Sequence, residues 1–420
     1  LLNSPIVFPI IFFVIVILLG SILLHASEKN KIDSLSWTDA AFTATSAACV
    51  TGLVVVDTGS YFTQFGQVTI LLLMQIGGLG IMTFTSLSIY IWRRRTTITD
   101  RIAVGQILLH DATFNLGRFL IEIACWTFVI EAAGAVLLWL MDPVAFPPFS
   151  ALFHSVSAFC NAGFSLFPDS LMGFKGSWDI NLVFMVLIVV GGIGFSVFVE
   201  VRSNLARRLI GRRIPKGKGI SWYARIVIRT SMMLIVLGWA AIYFAEFVGY
   251  NRMMATDDAI LSALFQSITA RTAGFNTLDI GGMTNVSLMV LLFLMFIGGA
   301  PGSCAGGIKV TTLRVLAAAM WSQMRGKAQA SIGKYAIREN AVKKAMVLFI
   351  LASMIIFMAA FLLDFTEGGN KPHLVVRGQF LEILFESVSA FCTVGLSTGL
   401  TAKLSAVAAG LSRSLALMWA

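Results

Sequence analysis

Long apolar runs alternate along the chain with shorter segments of moderate polarity. Eight runs come close to the ~20 residues that an α-helix needs to cross the ~30 Å hydrocarbon core of a bilayer. They cover about residues 6–24, 67–92, 119–141, 181–201, 226–248, 285–320, 345–363 and 403–420. The pattern predicts an all-α membrane protein that crosses the bilayer eight times.

Between the paired spans lie four segments that are too short to cross and that repeat one sequence. Their cores begin with an aligned phenylalanine and read FTATSAACVTGL, FHSVSAFCNAGF, FQSITARTAGF and FESVSAFCTVGL. The shared glycines are Gly52, Gly163, Gly274 and Gly395. A repeat of this kind indicates tandem structural units. We expect four helix, pore-loop, helix units in a pseudo-fourfold arrangement around one central pore.

The repeat also sets the expected unit boundaries. Unit one covers residues 1–95, unit two 96–205, unit three 206–320 and unit four 321–420. We expect the second span of unit three to be broken. The last span of unit four is expected to be truncated at residue 420, with dimer contacts beyond it.

Composition and charge agree with a membrane protein and suggest its orientation. Hydrophobic residues make up 57% of the chain and charged residues 12%, against about 25% charged in soluble domains. The loops 93–118, 202–225 and 321–346 hold 19 Lys and Arg, and the four loops with the short segments hold 7. By the positive-inside rule, the short segments enter from outside and both chain ends are cytoplasmic. The net charge of +10 then favours anionic lipid headgroups as partners, not nucleic acid.

The stretch at each shared glycine has no charged side chain. A short helix entering from outside points the negative end of its dipole at the bilayer centre, and glycine is free to take positive φ. Backbone carbonyls could then replace the water shell of a monovalent cation, whereas a divalent ion would call for Asp or Glu rings. The alternative is that the glycines only allow tight helix packing. The candidate ion-binding residues are Val50, Thr51, Gly52, Asn161, Ala162, Gly163, Thr272, Ala273, Gly274, Thr393, Val394 and Gly395.

The sixth apolar run is too long for one span. Its 36 residues would extend about 54 Å as a helix, and glycine and proline interrupt it. We expect a loop in the pore, on the cytoplasmic side of the third short segment, that obstructs the ion path and moves to open it. A packing kink without a gating role is the alternative. The candidate gate residues are Gly298, Gly299, Ala300, Pro301, Gly302, Ser303, Gly306, Gly307 and Lys309.

These motifs resemble the Trk/Ktr/HKT superfamily of potassium transporters over all four units. The features that carry the resemblance are the unit pattern Phe-x-Ser-Val/Ile-Ser/Thr-Ala leading to the glycine, which units two, three and four follow, and the run from Gly298 to Lys309. Eight spans without an additional N-terminal pair make the chain more similar to the Ktr-type membrane subunit. In this family, a serine in place of the first filter glycine accompanies sodium transport, so Gly52 favours potassium.

The resemblance implies a function, a location and partners. It implies potassium uptake across the cell membrane, gated by the loop 298–307. It also implies a homodimer on a cytosolic ring of nucleotide-binding regulatory subunits, with no cofactor in this chain and K⁺ as the transported ion. A Na⁺- or H⁺-coupled symporter on the same scaffold stays open. An enzyme is not expected, because the sequence offers no clustered His/Asp/Ser constellation.

A few ionisable residues have no assigned role. Glu122 and Glu131 lie in the third span, where a functional role and a structural tie to a backbone or Arg partner are equally open. Arg271, beside the third glycine, would shape the local electrostatics or bind an outer carboxylate. The family's last-span arginine is not assigned to Arg413, whose register is too early. The glycine runs at 77–80 and 191–194 predict close helix packing.

Overall fold

The computed structural model describes residues 7–27, 35–94, 116–209, 219–250, 254–327, 329–333, 335–367, 376 and 378–403 of the 420-residue chain. Within these ranges the regular structure is helical apart from one small hairpin. Most of the predicted last span, 403–420, and with it Arg413, lies outside the described residues.

Units one and two each have a long first helix followed by a short one. In unit one the helices are α1 (Val7–His25), α2 (Trp37–Ala48), α3 (Thr58–Tyr61) and α4 (Gln64–Arg94). In unit two they are α5 (Leu116–Met141), α6 (Pro148–Phe159), α7 (Trp178–Gly192) and α8 (Phe195–Leu209). A 3₁₀ turn covers Met172–Phe174. The short helices start at clear signals, an N-cap Ser36 for α2 and a proline in the first turn for α6.

Units three and four follow the same plan. Unit three has α9 (Trp222–Tyr243), a π-helical turn (Phe244–Gly249), α10 (Thr256–Thr269), α11 (Asn285–Phe296) and α12 (Val310–Met324). In unit four, β1 (Ser331–Ile332) pairs antiparallel with β2 (Tyr335–Ala336), with Ser331 opposite Ala336. The other elements described in unit four are helices α13 (Glu339–Glu367) and α14 (Gln379–Phe391) and a 3₁₀ turn (Thr401–Lys403).

Two apolar runs do not form straight spans. The run 285–320 is divided between α11 and α12 by a loop. The run 181–201, which the sequence predicts as one span, is divided between α7 and α8, and the two helices are bent by 112°. The sequence did not predict this break, at which Gly194 takes a positive φ of 86°. Three described helices are individually long and apolar enough to cross a membrane, at Ile121–Met141, Trp222–Gly249 and Glu339–Glu367.

Helix packing follows the chain from one unit to the next. The first long helix of each unit packs against its own short helix, in the pairs α1 with α2, α5 with α6, α9 with α10 and α13 with α14. The second long helix contacts the short helix of the following unit, in the pairs α4 with α6, α7 with α10 and α11 with α14. The outward faces are apolar, as at Phe128, Leu237 and Phe361, which suits contact with lipid.

Candidate functional site

The chain takes the same backbone conformation after each short helix. The residue two positions before the shared glycine has positive φ, at 58° in Val50, 57° in Asn161, 74° in Thr272 and 50° in Thr393. The four glycines have φ of 88°, 70°, 81° and 90° in chain order. Positive φ is uncommon for residues other than glycine and strained for a β-branched one. Its recurrence at one matched position therefore reflects a single geometry built four times.

The four segments meet in a closed ring, which we call the glycine ring (residues 50–52, 161–163, 272–274 and 393–395). A Cβ atom built on each glycine lies close to the Cα atom of the glycine in the next unit. The distance from the built Cβ to that Cα is 3.0 Å from Gly52 to Gly163, 3.0 Å from Gly163 to Gly274, 3.3 Å from Gly274 to Gly395 and 3.1 Å from Gly395 to Gly52. The last contact returns to the first unit, so all twelve predicted ion-binding residues lie together.

Hydroxyl groups on the short helices fix the backbone just beyond the ring glycines. Ser46 donates to the Leu53 carbonyl at 2.7 Å, Ser157 to the Phe164 carbonyl at 2.7 Å and Thr269 to the Phe275 carbonyl at 2.6 Å. In unit four, the Ser389 hydroxyl instead accepts from the Gly395 amide at 3.2 Å. These bonds hold each segment from behind.

Within the described part of the chain, the carbonyl oxygens of the glycine ring have no protein donor. Among the described residues, none of the twelve carbonyls accepts a backbone or side-chain hydrogen bond. A buried carbonyl without a partner carries a free-energy cost unless another ligand satisfies it. Uncharged oxygens arranged around one axis can take the place of the water bound to a monovalent cation.

A second set of contacts, which sequence reasoning missed, holds the chain that follows the ring. The residue after the aligned phenylalanine is polar in units two, three and four, and each of these side chains reaches the segment beyond its own glycine. His154 Nε2 accepts from the Leu166 amide at 3.2 Å, and Glu386 accepts from the Thr398 amide at 2.9 Å. When the side-chain amide of Gln266 is turned so that its oxygen faces hydrogen-bond donors, that oxygen accepts from the backbone amides of Thr277 and Leu278 at 3.1 Å each. The signal available in the sequence was that these three side chains share one position in the repeat, directly after the aligned phenylalanine.

The loop between α11 and α12, residues 298–309, contains all nine predicted gate residues and contacts the other three units. The Ala300 amide donates to the Gly192 carbonyl at 3.0 Å, and the Phe195 amide donates to the Gly302 carbonyl at 3.0 Å. Cys304 Sγ donates to the Gly78 carbonyl at 3.7 Å. Gly306 packs directly on Cys392 and Thr393 in unit four. Because Thr393 belongs to the glycine ring, the loop lies directly against the ring.

Arg271 takes part in this contact. Counted back from the shared glycine, it occupies the position that Cys49, Cys160 and Cys392 hold in the other units. Its guanidinium is buried and donates from Nη2 to the Gly298 carbonyl at 3.2 Å and from Nη1 to the Ser231 carbonyl at 3.4 Å. Within the described residues no carboxylate pairs with it, so of the two alternatives for Arg271 these contacts support an effect on the local electrostatics rather than a bond to an outer carboxylate.

The two acidic residues of the third span have structural partners. Glu122 forms an ion pair with Arg202 at 2.9 Å, and the guanidinium of Arg202 lies 4.2 Å from the ring centroid of Trp126. Glu131 is buried behind the second short helix, where Cys160 Sγ lies 3.7 Å from its Oε1 atom. The Arg202 contact of Glu122 matches the structural alternative, a tie to an Arg partner, whereas the carboxyl of Glu131 contacts a cysteine instead.

The bent and broken spans, the re-entrant short helices and the uncharged ring together define a multi-pass membrane transport protein. The chain belongs to the TrkH family of cation transport proteins, whose model matches residues 6–419. The predicted resemblance to the Trk/Ktr/HKT superfamily is thus confirmed, and the chain is a transport protein rather than an enzyme.

Individual relatives cover nearly the whole chain. It is 36% identical to the Ktr system potassium uptake protein B of Bacillus subtilis, over 93% of this chain and 85% of that protein. It is 33% identical to the potassium/sodium uptake protein NtpJ of Enterococcus hirae, over 94% of this chain and 86% of that protein. The fold is similar to the crystal structure of the potassium transporter TrkH from Vibrio parahaemolyticus, with a TM-score of 0.72. The match covers 97% of this chain and 82% of that chain, and the sequence identity is 21%.

Proposed function

We propose that this chain is the ion-conducting membrane subunit of a potassium uptake system and that the glycine ring is its selectivity filter. The observation that carries the proposal is the closed ring of four positive-φ glycines whose surrounding carbonyls have no described protein donor. Uncharged oxygens favour a monovalent cation. The names of the relatives, potassium uptake proteins, favour K⁺ among these ions.

The four units, with boundaries at residues 95, 205 and 320, surround one pore in pseudo-fourfold arrangement. The cyclic contacts between the ring glycines support this arrangement. The basic connections between units are cytoplasmic, as are both chain ends, and the short helices enter from outside.

The loop 298–307 is the gate of this pore. Its contact with Thr393 of the ring, and its hydrogen bonds to Gly192, Phe195 and Gly78 in two other units, support a position across the ion path. A movement of the loop would break its hydrogen bonds to Gly192, Phe195 and Gly78 and its bond from Arg271. The expected partners are a second copy of the chain and a cytosolic nucleotide-binding regulatory subunit, since the relatives are named as parts of Ktr systems.

Complementation of a bacterium deficient in potassium uptake tests the filter. Wild type should restore growth at low K⁺. Gly52→Ser and Gly274→Ser should lose discrimination between K⁺ and Na⁺, because a side chain at either position meets the next unit's segment and must adopt positive φ. Gly173→Ser, with open space at its Cα, is the matched control and should behave as wild type. Failure of wild type, or intact discrimination in both ring variants, would contradict the assignment.

Coupled transport is the second candidate. The potassium/sodium name of the Enterococcus hirae relative favours it, because a sodium gradient could drive potassium on the same scaffold. Potassium flux into proteoliposomes under imposed Na⁺ or H⁺ gradients distinguishes a conducting pore from a coupled symporter. A conducting pore responds to the K⁺ gradient and the voltage alone, whereas a symporter also requires the second ion.

A further inference from the structure

A basic cavity lies beside two of the basic connections, and its described lining residues include none from the glycine ring. Its volume is about 260 Å³, and it lies between α9, α12 and the β1–β2 hairpin. Three arginines line it, Arg225 and Arg229 from α9 and Arg314 from α12, with Trp222 and Gly333. Since one water occupies about 30 Å³ of the liquid, the cavity has room for a polyatomic ligand.

The charge around the cavity is positive. Among the described residues no carboxylate lines it, and none of the three arginines forms an ion pair. Arg225 makes one long bond, from Nε to the Ser221 carbonyl at 3.4 Å. Three guanidinium groups around one cavity repel one another, so a bound anion would stabilise the arrangement. The planar donors of guanidinium match the oxygens of a phosphate group.

Two further features indicate that the phosphate belongs to a lipid. Trp222 begins α9, and its ring lies 5.0 Å from that of Tyr335, an aromatic pair of the kind that is enriched at membrane interfaces. The face of α9 that carries Arg225 and Arg229 continues with Met233 and Leu237, at four-residue spacing. Their exposed fractions are 47% and 59%, so an apolar strip leads directly from the basic cavity.

We propose that this cavity binds a phosphate group, supplied by the headgroup of an anionic phospholipid whose acyl chain lies along the exposed face of α9. Basic pockets between membrane helices on the cytoplasmic side commonly bind such headgroups. Because Arg314 is on the helix that follows the 298–309 loop, the lipid would connect this helix to α9.

Native mass spectrometry of the purified, delipidated full chain tests the proposal. Dioleoylphosphatidylglycerol or dioleoylphosphatidylcholine is added back to wild type, to Arg225→Gln/Arg229→Gln/Arg314→Gln, and to Arg207→Gln/Arg208→Gln. The last is the control, because Arg207 and Arg208 lie at the end of α8 and do not line the cavity. Wild type and control should retain phosphatidylglycerol, and the triple variant should bind it roughly 100-fold more weakly. Phosphatidylcholine should not distinguish the three proteins.

Competition with inorganic phosphate shows whether the bound phosphate group belongs to a lipid headgroup or to free phosphate. Phosphatidylglycerol binding that millimolar phosphate leaves unchanged supports a lipid headgroup, whereas displacement overturns the lipid and leaves a site for free phosphate. Equal phosphatidylglycerol binding by wild type and a monodisperse triple variant overturns the site. If the triple variant aggregates, the single variant Arg229→Gln replaces it, and we expect a smaller loss of phosphatidylglycerol affinity. An unchanged affinity in this variant overturns the proposal in the same way.

Discussion

At the residue scale, three hydroxyl groups fix the glycine ring from behind. Ser46, Ser157 and Thr269 occupy matched positions on their short helices and donate to the carbonyl that follows each ring glycine. Each bond turns one carbonyl towards the short helix, and within the described part of the chain the ring carbonyls accept no hydrogen bond. If the glycine ring is the proposed filter, these side chains help to determine which oxygens can face an ion.

Removing one hydroxyl should weaken both stability and ion discrimination. Thr269→Val keeps the shape of the side chain but leaves the buried Phe275 carbonyl without its donor, at a cost of about 1–3 kcal/mol. We expect a lower melting temperature in detergent and a lower ratio of K⁺ to Na⁺ flux in proteoliposomes. Thr269→Ser keeps the donor and is the control. A valine variant that matches wild type in both measurements would show that the bond does not position the segment.

At the element scale, two helix breaks support each other. The bend between α7 and α8 frees the Gly192 carbonyl and the Phe195 amide, and the 298–309 loop supplies partners for both through Ala300 and Gly302. Each break therefore satisfies polar groups that the other leaves unpaired, as buried backbone requires. A loop held by such an exchange has a defined resting position next to the ring.

The two breaks differ in how well the sequence predicts them. Six glycine and proline residues within 298–307 interrupt the sixth run, and its length alone exceeds one span. The run 181–201 has the length of a normal span, and its glycines at 191–194 equally suit close packing. Its bend depends on the contact with Ala300 and Gly302, which are over a hundred residues away. Local pattern cannot contain that information.

Arg271 should control how firmly the loop rests against the ring. In Arg271→Met the Gly298 carbonyl loses a charged donor, which contributes about 1.5–3 kcal/mol in typical proteins. The long bond favours the low end, so we expect basal rubidium uptake into proteoliposomes to rise roughly tenfold. Arg271→Lys, with one donor group, should be intermediate, and Arg207→Met should match wild type. Unchanged or lower uptake in Arg271→Met would contradict a restraining role.

At the scale of the whole molecule, the arrangement of the units follows from how each one packs on the next. Every described second helix contacts the short helix of the following unit, and the glycine contacts close the circle from unit four to unit one. The repeat in the sequence predicts four equivalent segments and the residues at their tips. It does not predict the partners of His154, Gln266 and Glu386, because those side chains bond to segments that differ between units.

The orientation of the molecule in the membrane is a separate consequence of charge. The connections between units hold 19 basic residues against 7 in the loops with the short helices, so the two sets should face opposite sides. Gly173 lies in a loop that holds a short helix and Gly219 in a basic connection, and a Cβ atom at either position meets open space. A cysteine at each position should therefore be tolerated and should report the side on which it lies.

A membrane-impermeant thiol reagent applied to intact cells should label Gly173→Cys and leave Gly219→Cys unlabelled. The background is Cys125→Ser, because Cys125 is exposed whereas Cys49, Cys160, Cys304 and Cys392 are buried. Permeabilised cells should label both variants, which controls for reactivity. If intact cells label Gly219→Cys alone, the orientation of the molecule in the membrane is the reverse of the predicted one. The short helices would then enter from the cytoplasm, and the 298–309 loop would lie on the outer side of the ring, where a cytosolic partner could not act on it.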